Sequence, residues 1–197
     1  MQTLKAAVLA GALAIAAPAL AQSHEGHAAA AGHGSTPAVV TALANDIGQA
    51  EQKLIALAEA IPEDRWGWRP GEGVRSIGEV FLHIAADNYF IPAMAGNTAP
   101  PETGIVGSDY STAVAYETRQ LDKAATIAAM RESFAHLREV MAEVGEDDLS
   151  AQLNFFGNQM SGLQLWVLTA THLHEHLGQS IAYARSNGIV PPWSRGP

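Results

Sequence analysis

The sequence predicts an all-α fold, a four-helix bundle with a long crossover connection, and three observations predict it. Four segments repeat apolar residues at helical spacing. Two of them open with a capping box, Ser76-Ile77-Gly78-Glu79 and Ser161-Gly162-Leu163-Gln164. No stretch alternates convincingly in the manner of a half-buried strand. The chain has 197 residues and no cysteine, so disulfides and thiolate chemistry are excluded, and stability must come from packing or from a metal.

Met1 to Ala21 reads as a secretory signal peptide. Lys5 supplies the positive region, Ala6 to Leu20 is apolar, and Ala19-Leu20-Ala21 gives a small-x-small cleavage site. The apolar run is too short to span a bilayer, so no membrane insertion is expected. Export with cleavage between Ala21 and Gln22 would leave a soluble periplasmic or secreted protein. Residues 22–35, rich in Ala, Gly and His, should be a flexible tail whose His24, His27 and His33 are solvated. Residues 36–197 are then the bundle domain. Twenty acidic residues against 11 basic ones give a net charge of −9, the wrong balance for a nucleic-acid partner.

The first helix should begin at Thr36-Pro37, a cap residue followed by proline at the first helical position. Val40, Leu43, Ile47, Leu54, Leu57 and Ile61 mark its apolar face. Trp66 and Trp68 lie in a connector, where they would pack over a bundle end or line a pocket mouth. The second helix follows its capping box, with Ile77, Phe81, Ile84, Asn88 and Ile91 on the apolar face. His83 falls at the edge of that face, with Glu79 and Asp87 one turn to either side. Glu79 is occupied by capping, which leaves Asp87 as the candidate fourth ligand or ligand-orienting group.

Gly96 to about Thr112 reads as a Pro/Gly-rich crossover. The third helix should start near Ala113 or Asp122 and run to Val144, with Met130, Phe134, Leu137, Met141 and Val144 as its seam and His136 exposed. Glu146-Asp147-Asp148 reads as a solvated turn, and Leu153 to Gly157 as a lead-in to the fourth helix.

The fourth helix should run from Ser161 to the Asn187-Gly188 stop, ahead of Pro191-Pro192. At about 100° per residue, Leu165, Leu168, His172, His176, Gln179 and Tyr183 share one inward stripe. Leu163, Trp166, Ala170, Leu173, Leu177, Ile181 and Ala184 share a second apolar stripe. Thr171, His174, Glu175, Arg185 and Ser186 form the solvated face. Histidines four residues apart project their rings over the same spot and can grip one metal ion, provided a third ligand comes from elsewhere. In a four-helix bundle the inward histidines would be His83, His172 and His176, and three is the ligand number of an open, catalytic-type site. Gln179, one turn beyond His176, is a candidate to orient a water or ligand, or else to satisfy a buried backbone group.

These segments together resemble the DinB-like family, also described as YfiT-like metal-dependent hydrolases. The matching stretches are Trp66-Gly67-Trp68-Arg69-Pro70, Ser76-Ile77-Gly78-Glu79 with His83-Ile84-Ala85, and His172-Leu173-His174-Glu175-His176-Leu177-Gly178-Gln179. Tyr183-Ala184-Arg185 and Gly188 to Trp193 continue the match, which spans roughly Val39 to Ser194. The resemblance implies a bundle that forms a homodimer and holds one divalent metal, Zn or Ni, on His83, His172 and His176. It also implies an enzyme acting on a small-molecule substrate. Several relatives use cytoplasmic thiols, which an exported chain would not meet, so hydrolysis is the leading expectation. A non-catalytic metal-binding or carrier protein is the alternative.

Overall fold

The computed structural model describes residues 36–196, so the predicted signal peptide and the tail at 22–35 lie outside the described residues. Four long helices dominate: α1 (Ala38–Ala60), α2 (Ile77–Met94), α4 (Lys123–Ala142) and α6 (Gly162–Ser186), with a shorter α3 (Tyr110–Glu117) before α4. Helix α2 packs on α4 and α6, and α1 packs on the same two, so the four close around one core. Both capping boxes form. Ser76 Oγ accepts from Glu79 N and Ser161 Oγ from Gln164 N, while each partner's side chain returns the bond. Helix α6 ends as expected: Gly188 takes φ +73° and Ile189 N donates to Ala184 O at 2.9 Å. Among the described residues no helix is long and apolar enough to cross a membrane.

Helix α2 is the bundle's central rod. Every residue from Ile77 to Pro92 is buried except Glu79, so its single predicted apolar face widens to the whole circumference. A helix apolar all round belongs inside, and α2 has α3, α4 and α6 against it. That central position draws His83 and Asp87 into the core. Asn88 is carried inward too, and donates to Ser133 Oγ at 3.1 Å.

Several expectations are corrected. Thr36 is no cap: Pro37 holds the N-cap position of α1 without a side-chain bond. Of the two starts expected for the third helix, Asp122 is the one that forms, capping α4 at Lys123, while the stretch around Ala113 is a separate helix, α3, that ends at Glu117. The acidic turn at Glu146 is a short helix, α5 (Glu146–Ser150). The lead-in to α6 is an antiparallel hairpin, β1 (Gln152–Phe155) with β2 (Asn158–Ser161), paired from Gln152↔Ser161 to Phe155↔Asn158. His136 is half-buried and packs on Tyr89 at 5.2 Å between ring centroids, not exposed. Leu163, placed on an apolar stripe, is exposed.

Candidate metal centre

The inward stripe of α6 meets α2 where both carry histidine. His83, His172 and His176 each offer a ring nitrogen, and these atoms all lie within 4.8 Å of one another. The rings stand nearly perpendicular in pairs, with centroids 4.4 Å apart for His172–His176, 4.7 Å for His83–His176 and 5.4 Å for His83–His172. This is the set of histidines the sequence singles out as inward. His174 is exposed on the opposite face of α6, where its Nε2 pairs with Asp46 on α1 at 2.8 Å.

Each ring is oriented by a neighbour. His176 Nδ1–H donates to Gln179 Oε1 at 2.8 Å, and Gln179 Nε2 donates to the Tyr183 hydroxyl at 3.1 Å. Trp68 presses edge-on against Tyr183 at 5.4 Å. The tryptophan connector thus buttresses a histidine through two side chains, and Gln179 orients the imidazole rather than a backbone group. With Nδ1 committed, His176 Nε2 is left buried with no hydrogen-bond partner. Buried polar atoms rarely stay unsatisfied without a reason. Burial pushes the His176 pKa down to about 4, so its ring is neutral and the Nε2 lone pair free at neutral pH.

On the α2 side, His83 Nδ1–H donates to Glu117 Oε2 at 2.5 Å, and Arg75 Nη2 clamps both Glu117 oxygens at 3.0 and 3.1 Å. Burial alone would raise the Glu117 pKa, but the bonds from His83 and Arg75 outweigh it and hold the carboxyl below its ordinary value. A carboxylate behind an imidazole fixes its tautomer and raises its basicity as a ligand. Asp87 Oδ2 sits 2.7 Å from His172 Nε2 and 3.3 Å from His83 Nε2. Of the two candidates flanking the histidines, Asp87 therefore pairs with two of the rings from beside the cluster, and Gln179 stands behind the third. Three converging imidazoles make a donor set suited to a divalent transition metal, with the Asp87 carboxylate beside two of them.

Glu117, Arg75 and Tyr110 are the residues that sequence reasoning misses. Glu117 and Arg75 meet across 42 positions of chain, a pairing no local pattern reveals. The available signal was Asp109, which accepts from Ser111 N and so caps α3 inside the presumed crossover. That short helix brings Glu117 to the cluster. Tyr110 stands at its other end, where burial first, and then the charges of Asp87 and Glu117, push its hydroxyl pKa up against the opposing effect of Arg75. Beside the cluster opens a cavity of about 650 Å³ whose walls include Arg69, Arg75, Glu117 and Gln179.

The sequence model of the DinB superfamily matches residues 47–180, more than half of the chain. Two solved structures share the fold. One is a DinB-like protein from Bacillus cereus, 16% identical with a TM-score of 0.63, over 77% of this chain and 95% of the other. The second, a DinB-like protein from Bacillus subtilis, is 19% identical with a TM-score of 0.57, over 76% and 93%. No curated protein matches the sequence.

Proposed function

The chain belongs to the DinB superfamily, and from that premise we propose an exported metal-dependent enzyme of hydrolase or transferase type. His83, His172 and His176 would hold one divalent ion, Zn or Ni. The observation that carries the reading is the buried, unpartnered Nε2 of His176, whose Nδ1 is tied to Gln179, on a ring that converges with His83 and His172 so that one ligand nitrogen from each lies within 4.8 Å of the others. When bound, such an ion supplies Lewis acidity and lowers the pKa of a coordinated water. The chain's own residues supply the rest. Gln179 and Glu117 hold two imidazoles in the tautomer that presents Nε2. Asp87, in reach of two of the three rings, is placed either to complete the ligand set or to accept a proton from a nucleophile. Arg75, partly exposed at the cavity wall, is placed to hold a substrate carbonyl or carboxylate oxygen. A homodimer is part of the proposal, supported by Leu163 and Val167 exposed one turn apart on α6.

One purification tests address and metal together. Untagged protein from a periplasmic extract should weigh as a chain beginning at Gln22 and carry one metal ion per chain by elemental analysis. Single Ala replacements of His83, His172 or His176 should each lose that stoichiometric metal, and His174→Ala should keep it. Retention of Met1 would sink the export proposal, and one tightly held ion surviving in all three ligand variants would sink the site. His24, His27 and His33 favour the carrier alternative. If deleting residues 22–35 removed most of the bound metal, the carrier would displace the enzyme.

A further inference from the structure

The tip of the hairpin holds an aromatic side chain where the backbone disfavours one. Phe156 and Gly157, the two residues between paired Phe155 and Asn158, both have positive φ, +50° and +86°. That is the backbone of a two-residue turn whose favoured sequence is Asn-Gly. A bulky residue in the left-handed region costs on the order of 1–3 kcal/mol, and such strain collects at functional sites. The strained ring is not hidden in the core: Phe156 is 56% exposed. It packs against Tyr110 at 5.5 Å, edge-on, and Phe90 at 6.2 Å, while Tyr110 and Phe90 stand 5.4 Å apart.

This aromatic trio adjoins the histidine cluster. Phe90 follows Asp87 by three residues on α2, about one helical turn. Tyr110 joins the two regions, with its ring on Phe90 and Phe156, at the first residue of α3, the helix whose last residue, Glu117, bonds His83. A ring 41% exposed at Tyr110 and one 56% exposed at Phe156, set at right angles, leave an apolar corner near a polar, metal-type site.

We infer that Phe156 and Tyr110, backed by the buried Phe90, form a wall against which the aromatic part of a substrate packs while its oxygen function reaches the three-histidine centre. The substrate class is an aryl carbonyl compound, such as an aromatic ester or amide. This rests on the metal reading above. Aromatic pairs prefer offset or edge-on contact at about 4.5–7 Å, and the exposed parts of Phe156 and Tyr110 can take one more ring in that range.

Hydroxamates test it, because they chelate a metal and can carry either an aryl or a methyl group. Zn²⁺-loaded protein should bind benzohydroxamate roughly five- to tenfold more tightly than acetohydroxamate by calorimetry, the size of effect an aromatic contact gives. Phe156→Asn should cut that preference below roughly twofold, leaving Zn²⁺ stoichiometry and acetohydroxamate affinity unchanged. Because Asn relieves the left-handed strain, the same variant should melt at the same temperature or higher. Tyr110→Ala should also lose the preference. Equal binding of the two hydroxamates by the native protein, or a preference that survives Phe156→Asn, would overturn the wall while leaving the metal site standing. A Phe156→Asn protein that changes from dimer to monomer in sedimentation would assign the trio to an interface instead. Failure to bind Zn²⁺, or either hydroxamate, would take down the metal reading and this inference with it.

Discussion

Two of the three candidate ligands are aimed by a side chain that contributes no ligand atom. Glu117 stands half-buried behind His83 with Arg75 locking it, so Glu117→Gln should weaken Zn²⁺ binding about 10- to 100-fold by calorimetry. A neutral amide still fills the space, so a variant that binds Zn²⁺ as tightly as the native protein would show that the carboxylate charge does not matter. Acid should act on His176. Its ordinary pKa of 6.5 falls to about 4 in the fold, through burial first, so below 6.5 the unfolded chain takes up a proton that the folded chain refuses. The stability tied to a neutral His176 is complete above 6.5 and lost as the pH drops toward 4. Melting temperatures of the metal-free protein should therefore fall across that window, and less steeply in His176→Gln, which has no proton to gain. Identical slopes would mean the ring is not desolvated. The site was legible where one helix carried it. His172, His176 and Gln179 follow from a periodicity of 3.6, and His83 from the bundle, whereas Glu117 and Arg75 depend on tertiary contacts that leave no local trace.

At the scale of elements, the strongest local signals were those in which a side chain bonds its own backbone. Ser76, Ser161 and Gly188 mark helix ends by chemistry complete within four or five residues, and all three stand where the sequence puts them. The elements missed are short, and the contacts around them hold them in place. Helix α3 has eight residues and packs on α2; the hairpin has four per strand and a Phe where its turn favours Asn. Helix α2 shows a different limit, because a rod buried on every side has no polar face to set its phase. Its single glycine, Gly78, has a steric cause. A Cβ on Gly78 would lie 2.4 Å from Trp66 Nε1 and 2.7 Å from Cδ1. Trp66 is itself stacked on Phe81 at 5.3 Å and cannot easily retreat. Gly78→Ala should thus cost about 1–3 kcal/mol despite better helix propensity, read as a lower urea midpoint. A midpoint that rises would show that the tryptophan shifts freely and that the connector does not clamp α2.

For the molecule as a whole, the three-histidine cluster sits between the second and the last helix, so a ligand there ties together distant parts of the chain. His83 on α2 and His172 and His176 on α6 are joined across the core, and neither helix alone supplies three donors. The unfolded chain has no such preformed site, so metal should bind mainly to the folded state and stabilise it by mass action. At a free Zn²⁺ concentration a hundred times Kd the gain is about 2.7 kcal/mol. For a domain of this size that corresponds to a rise in Tm of roughly 5–10 °C. His174, whose Nε2 is 2.8 Å from Asp46 on the outer face, serves as the internal control. A scanning calorimetry series over Zn²⁺ concentration should show the rise in the native protein and in His174→Ala alike. It should be absent in His83→Ala and in His176→Ala, which remove donors from different helices. Were His174→Ala to lose the rise while His176→Ala kept it, the stabilising ion would be bound on the outer face of α6. The buried Nε2 of His176 would then need another partner.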